Sequence, residues 1–202
     1  MRYNNINEHA KEVNKMNVYE KWPMTENDDF IIRKPELSDV KDLFKVYSDK
    51  NALPFFNSDN CHGDNFYYST EEIMENTMKY WFWEYENGGF VRFAIVDKLS
   101  NETIGTIELF LREADDYFDR CELLRVDVRS DYEEEKTLSS ILGLITPMAY
   151  EWFGCRKVAT KAPIYAVERI KALESQGYVK SSKKIVGQDG AIYGDYWEKE
   201  VL

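Results

Sequence analysis

Residues 121–154 read CELLRVDVRSDYEEEKTLSSILGLITPMAYEWFG. Leu124, Val126 and Val128 alternate with Leu123, Arg125 and Asp127, the period of a strand. After the segment SDYEEEK, Leu138, Ile141, Leu142, Ile145, Ala149, Trp152 and Phe153 recur at helical spacing. Pro147 predicts a kink within that helix, and Gly154 predicts its end. A strand feeding a helix N-terminus is an anion site in waiting. The first backbone N–H groups lack intrahelical partners, and the helix dipole is positive there. The residues at this turn therefore decide what the chain can bind.

The 202 residues suit a single domain with a substantial core. An aromatic content of 15% points to a packed interior or a ring-lined pocket. The net charge of −11 argues against nucleic acid as a partner, because phosphate repels it, and suits a cationic or amine substrate. Cys61, Cys121 and Cys155 have no metal-ligand spacing, so no metal is expected. Three sparse cysteines predict reduced thiols in a cytoplasm. No basic-then-apolar leader opens the sequence, and no apolar run is long enough to span a bilayer. A membrane role is accordingly not expected. A second copy of the chain is a candidate partner.

Residues 1–29 read as an N-terminal arm, with Val13, Met16, Tyr19 and Trp22 forming one stripe of a short helix packed on the domain. The domain proper spans 30–202. Phe30 to Arg33 is a strand, and Pro35 opens a helix that faces Leu37, Val40, Leu43, Phe44 and Tyr47 inward. Asn51 to Ser69 is a long loop carrying His62, which reads as a solvated residue. Ser69 or Thr70 caps the next helix, which runs to Asn87-Gly88-Gly89 and carries the dense aromatic set Tyr80, Trp81, Phe82, Trp83 and Tyr85. Phe90 to Asp97 and Thr103 to Arg112 form a hairpin. Gly105 inside its second strand predicts a bulge or a close backbone approach. Beyond the central helix come a strand at 157–162, a helix at 166–176 stopped by Gly177, and two strands at 183–186 and 191–199 joined by a D-G turn.

The order β-α-α-β-β-β-α-β-α-β-β, with FIIRKPELSDVKDLFKVYSD, STEEIMENTMKYW, FVRFAIVDKLSNETIGTIELF, ELLRVDVRSDY and ERIKALESQGYVKS, resembles the GNAT N-acetyltransferase superfamily. The branch it most resembles contains the ribosomal-protein N-terminal acetyltransferases. The resemblance runs from Phe30 to the C-terminus. It implies an α+β fold: a twisted, mostly antiparallel mixed sheet of seven strands flanked by about four helices. The sheet would splay between the fourth and fifth strands, with acetyl-CoA in the V-shaped opening. The fourth strand would hold pantetheine through its backbone at Leu124, Val126 and Val128. The pyrophosphate would rest on Glu134, Glu135, Lys136, Thr137, Leu138 and Ser139.

The chain departs from that family at this turn. The family pattern is Arg or Gln, two residues, Gly, one residue, then Gly or Ala. Its glycines let the backbone curl around the pyrophosphate. Here the matching positions are Glu133, Lys136 and Leu138, with Glu134 where another glycine is common. One carboxylate about 6 Å from a phosphate charge costs roughly 0.7 kcal/mol in water and nearer 3 kcal/mol at an effective dielectric of about 20. Lys136 offsets part of this, and Thr137, Ser139 and Ser140 offer hydroxyls. Ser130-Asp131-Tyr132-Glu133 also has the S-x-x-E form of a capping box. Two readings follow. The chain's own carboxylates fill the niche of the cofactor phosphates, or the turn is a solvated first turn that still binds cofactor.

Direct attack of an amine on a thioester needs a proton acceptor, and relatives often add a Tyr acid near the thiolate. That Tyr position is Leu173 here, a frequent Asn is Ala166, and a common Ser is Arg169. Glu108 and Glu122 are the candidate bases. The resemblance implies acetyl transfer from acetyl-CoA to a primary amine, either a small molecule or a peptide N-terminus. The alternative is a non-catalytic module of the same fold that binds a ligand or a protein and has lost ordinary CoA binding.

Overall fold

The computed structural model describes residues 18–188 and 190–201. Val13 and Met16 of the N-terminal stripe lie outside the described residues. Val18 is buried, and Trp22 stacks on Tyr85 with ring centroids 3.8 Å apart. The segment before Phe30 therefore packs on the domain, and part of it joins the sheet as β1 (Thr25–Glu26).

Among the described residues the main sheet has eight strands, in the order β1-β2-β3-β4-β5-β6-β10-β7. These are β2 (Phe30–Arg33), β3 (Val91–Asp97), β4 (Glu102–Leu111), β5 (Glu122–Val128), β6 (Lys157–Lys161), β7 (Val179–Lys180) and β10 (Tyr196–Glu200). All neighbours are antiparallel except β5 and β6. The expected fold class holds, with differences in the strands, among them β7, which was not expected. β1 adds an edge, and the segment expected at 183–186 leaves the main sheet. Instead β8 (Ile185–Val186) pairs with β9 (Ile192–Tyr193) as a separate hairpin. The single long strand expected at 191–199 is thereby split into β9 and β10, with Asp195 at φ +62 between them.

Helices cover both faces, which explains why β3 is buried along nearly its whole length instead of alternating. On one face lie α3 (Glu135–Phe153) and α4 (Val167–Ser175), packed over Leu124, Val126 and Val128. On the other lie α1 (Val40–Tyr47) and α2 (Glu71–Glu86). The helix expected from Pro35 starts later, because Leu37–Asp39 forms a 3-10 turn in which Asp39 pairs with Arg33. Thr70 is the cap of α2, its hydroxyl accepting from the Ile73 N–H at 3.2 Å. α3 runs through Pro147 and ends at Gly154 in the left-handed region, φ +59. Gly105 shows the expected close approach: a Cβ there would lie 2.9 Å from Val128 Cα.

Candidate functional site

β5 and β6 pair only through Glu122, Leu123 and Leu124 with Val158, Ala159 and Thr160. β5 continues to Val128, while β6 continues to Lys161 against β10. The two strands part beyond Leu124, which makes the expected fork. Its α3 side is closed. Val126, Leu138, Leu142, Thr160, Arg169 and Leu173 enclose a void of about 10 Å³, room for no more than about one water molecule.

The turn before α3 explains the closure. Arg169 reaches from α4, and its Nε and Nη2 each donate to a Glu133 carboxylate oxygen at 2.7 Å. Both side chains are buried, at 4% and 6% exposure. Burial works against the Arg169 charge, but Glu133 outweighs it and raises the guanidinium's pKa above its ordinary value.

The expected capping box does not form. Ser130–Tyr132 is a separate 3-10 turn, and the Ser130 N–H donates to Asp49 Oδ2 at 2.9 Å. Asp131 is engaged by Arg129 at 2.7 Å. α3 starts at Glu135 with no side-chain cap on its first turn. The Glu135 N–H faces Glu168 Oε2 at 3.4 Å.

The residues expected to bind cofactor do come together around the fork and the start of α3. Leu124, Val126, Val128 and Leu138 are core residues. Glu134, Glu135 and Lys136 are exposed and Thr137 is half-buried. The Ser139 hydroxyl is bonded to Ser175 at 2.9 Å. A cofactor pyrophosphate would meet Glu133, Glu134, Glu135 and Glu168 with Arg169 already engaged. On the α3 side the fork holds only the void lined by Arg169 and Leu173, too small for a pantetheine arm. The residues present do not fit acetyl-CoA in this conformation.

The two candidate bases lie on opposite faces of the sheet. Glu108 sits on β4 between its cross-strand partners Arg92 and Arg125. It bonds Arg92 Nη2 and accepts from Arg125 Nη1 at 2.6 Å. Burial pushes the Glu108 pKa up, but the two guanidiniums outweigh it and hold it below the ordinary value. A carboxylate so clamped is a structural counter-ion, poorly matched to proton abstraction near neutral pH. Glu122 shares the face of Leu124 and is fully buried, and neither of its oxygens has a hydrogen-bond partner among the described residues. Burial raises its pKa well above the ordinary value. From the core it cannot reach an acceptor on the opposite face. Glu108 is thus held by two arginines, and Glu122 lies buried on the other face of the sheet.

The Glu108 face carries a cavity of about 720 Å³ bounded by α2, the loop from Asn60 to Tyr68, and β3 to β5. His62 lines its mouth and is exposed, as expected. A smaller cavity of about 360 Å³ adjoins it beneath β8 and β9. The two share Asn60, Phe110, Arg125 and Gln188. Asp59 fastens the loop over this face. Its carboxylate accepts from Lys161 Nζ at 2.6 Å and from Tyr196 Oη at 3.1 Å, and its carbonyl accepts from Arg125 Nη2 at 2.8 Å. Sequence reasoning missed both this latch and the cavity. The density of aromatics on α2 was the one signal pointing to the cavity.

Comparison with solved structures places this architecture. A GNAT-family acetyltransferase from Bacillus anthracis superposes with a TM-score of 0.64 at 11% identity, over 88% of this chain and 98% of that one. The chain has the GNAT fold. The microcin C7 self-immunity acetyltransferase, solved with acetyl-CoA and AMP, gives 0.64 at 10% identity, over 87% and 94%. A Salmonella typhimurium acetyltransferase that modifies the N-terminal serine of a 50S ribosomal subunit protein gives 0.61 at 12%, over 87% and 97%. Neither a family model nor a curated protein matches the sequence. At these identities the likeness carries the fold, and activity has to be argued from the site.

Proposed function

We propose that this chain is a non-catalytic GNAT-fold binding protein. Its ligand face is intact, and its cofactor channel is filled by its own side chains. The single observation carrying this reading is the buried, bidentate Arg169–Glu133 pair across the pyrophosphate position. Isothermal calorimetry with CoA and acetyl-CoA tests it. The expected result is no saturable heat at micromolar ligand, and sub-micromolar binding would overturn the reading. A cytoplasmic setting is part of the proposal, supported by the free thiols Cys61, Cys121 and Cys155.

One observation favours a second reading. The stretch Arg125 to Val128 on β5 has no strand partner on its β6 side, and that edge is where relatives hold pantetheine. If Glu133 swings out, the chain would transfer acetyl from acetyl-CoA to a small amine or a peptide N-terminus. A thioester-cleavage assay over an amine panel tests this, and turnover with any amine would favour it over the first reading.

A further inference from the structure

We propose that Glu84 is the carboxylate that receives a cationic ligand in the 720 Å³ cavity, and that this ligand is an organic ammonium ion with an apolar body. The proposal rests on the reading of this face as a binding site and names its ligand class.

Among the described residues the cations lining the cavity are Arg92 and Arg125; the charge of each is met by a carboxylate, while the Nε of each has no hydrogen-bond partner there. They share Glu108, and Arg92 also faces Asp127 at 3.5 Å. Their guanidiniums lie over rings, Arg92 at 4.5 Å from the Trp81 centroid and Arg125 at 5.3 Å from that of Phe110. The floor is therefore neutral in sum. The carboxylates left over are Glu84 on α2 and Asp64 on the facing loop, so the mouth is net negative. Around them stand Phe66, Tyr68 and the half-exposed Tyr80. A carboxylate beside aromatic faces favours a cation that is only weakly hydrated.

Glu84 is also held in place. The Tyr80 hydroxyl, one helical turn back, donates to Glu84 Oε1. Burial and this bond together push the Tyr80 pKa up to about 12, so the donor stays protonated. The other oxygen, Oε2, occupies the space where a side chain on residue 89 would begin, and Gly89 leaves it free. The Gly89 backbone does not lie in the left-handed region, so the glycine is needed for this space rather than for its φ. A pre-positioned carboxylate loses little freedom when a ligand arrives. A closed acyl channel also removes any requirement for a transferable N–H proton, so a quaternary ammonium suits the site as well as a primary amine does.

The test titrates the purified chain with phenyltrimethylammonium, benzylamine, benzyl alcohol and benzoate. Both cations should bind, with benzyl alcohol and benzoate weaker. Glu84→Gln should weaken the two cations about fivefold and leave benzyl alcohol unchanged. Gly89→Ala should do the same by displacing a carboxylate that is still present, which a loss of fold would not mimic. An unchanged melting temperature checks that both variants are folded. Equal affinity for benzyl alcohol and the cations, insensitivity to both variants, or no binding of any probe at millimolar concentration would overturn the proposal. A parallel CoA titration separates the two claims. CoA binding with ammonium binding defeats the closed-channel reading alone, and neither binding defeats this inference alone.

Discussion

Arg169 on α4 and Glu133 on the turn before α3 meet through two parallel hydrogen bonds of 2.7 Å, although 36 residues separate them. Breaking a buried pair by removing one partner strands a charge in a low-dielectric setting, at a cost of about 3–5 kcal/mol. Arg169→Met should lose that much by urea denaturation. Adding Glu133→Leu should recover most of it, because a buried pair can often be replaced by apolar side chains at little cost. Equal stability of the single and double variants would mean that Glu133 turns out to solvent once Arg169 is gone.

Sequence reading had singled out both residues, but only as two unrelated departures from a pattern. Glu133 stood where the family has Arg or Gln, and Arg169 where it often has Ser. Their compensation is a long-range contact, which no local period or propensity encodes. The elements themselves were legible because burial imposes its period on them. The fork was implied by the resemblance alone; in the structure β5 and β6 run parallel and pair only from Glu122 to Leu124. The capping box failed for the reason the ion pair was missed. Asp49, distant in sequence, takes the Ser130 N–H and holds Ser130–Tyr132 as its own turn. Glu108 and Glu122 both read as strand carboxylates. Which one meets arginines and which meets hydrocarbon depended on the neighbouring strands and helices.

Glu122 makes stability depend on pH. Burial raises its folded-state pKa well above 4.5. The folded chain therefore binds more protons than the unfolded one between the two pKa values, and stability falls as pH rises through that window. Glu122→Met should be more stable than the parent by roughly 1–3 kcal/mol at pH 8, the cost of burying an unpartnered polar group. The gap should narrow as pH falls through that window and level off below about 4.5, where Glu122 is protonated in both states. Denaturant titrations at the two pH values measure this. A gap that widens towards low pH would contradict the neutral assignment.

Gly105 permits β4 to lie against β5 at the open end of the fork. A Cβ there would overlap the Asp127 carbonyl and sit 2.9 Å from Val128 Cα, and both obstacles are backbone. Gly105→Ala should cost about 3 kcal/mol, the upper end of the range for overpacking. It should also weaken amide protection at Asp127 and Val128. A variant within about 0.5 kcal/mol of the parent would show that the β4–β5 register yields more easily than these distances allow.

Asp59 joins three elements across the ligand face, holding Lys161 on β6, Tyr196 on β10 and, through its carbonyl, Arg125 on β5. Asp59→Asn removes the ion pair but leaves the backbone contact and an acceptor for Tyr196. Lys161 is partly exposed and can turn to water, so global stability should fall by only about 1 kcal/mol. The local effect should be larger, because the loop over the cavity loses its charged tether. Hydrogen exchange across 57–64 should speed up by about tenfold while α2 and β5 stay protected. Exchange that quickens equally in the loop and in β5 would mean that Asp59 supports the sheet as a whole. Unchanged exchange would assign the hold on the loop to the remaining contacts, among them the Gln188 N–H donating to Asn60 Oδ1 at 2.9 Å.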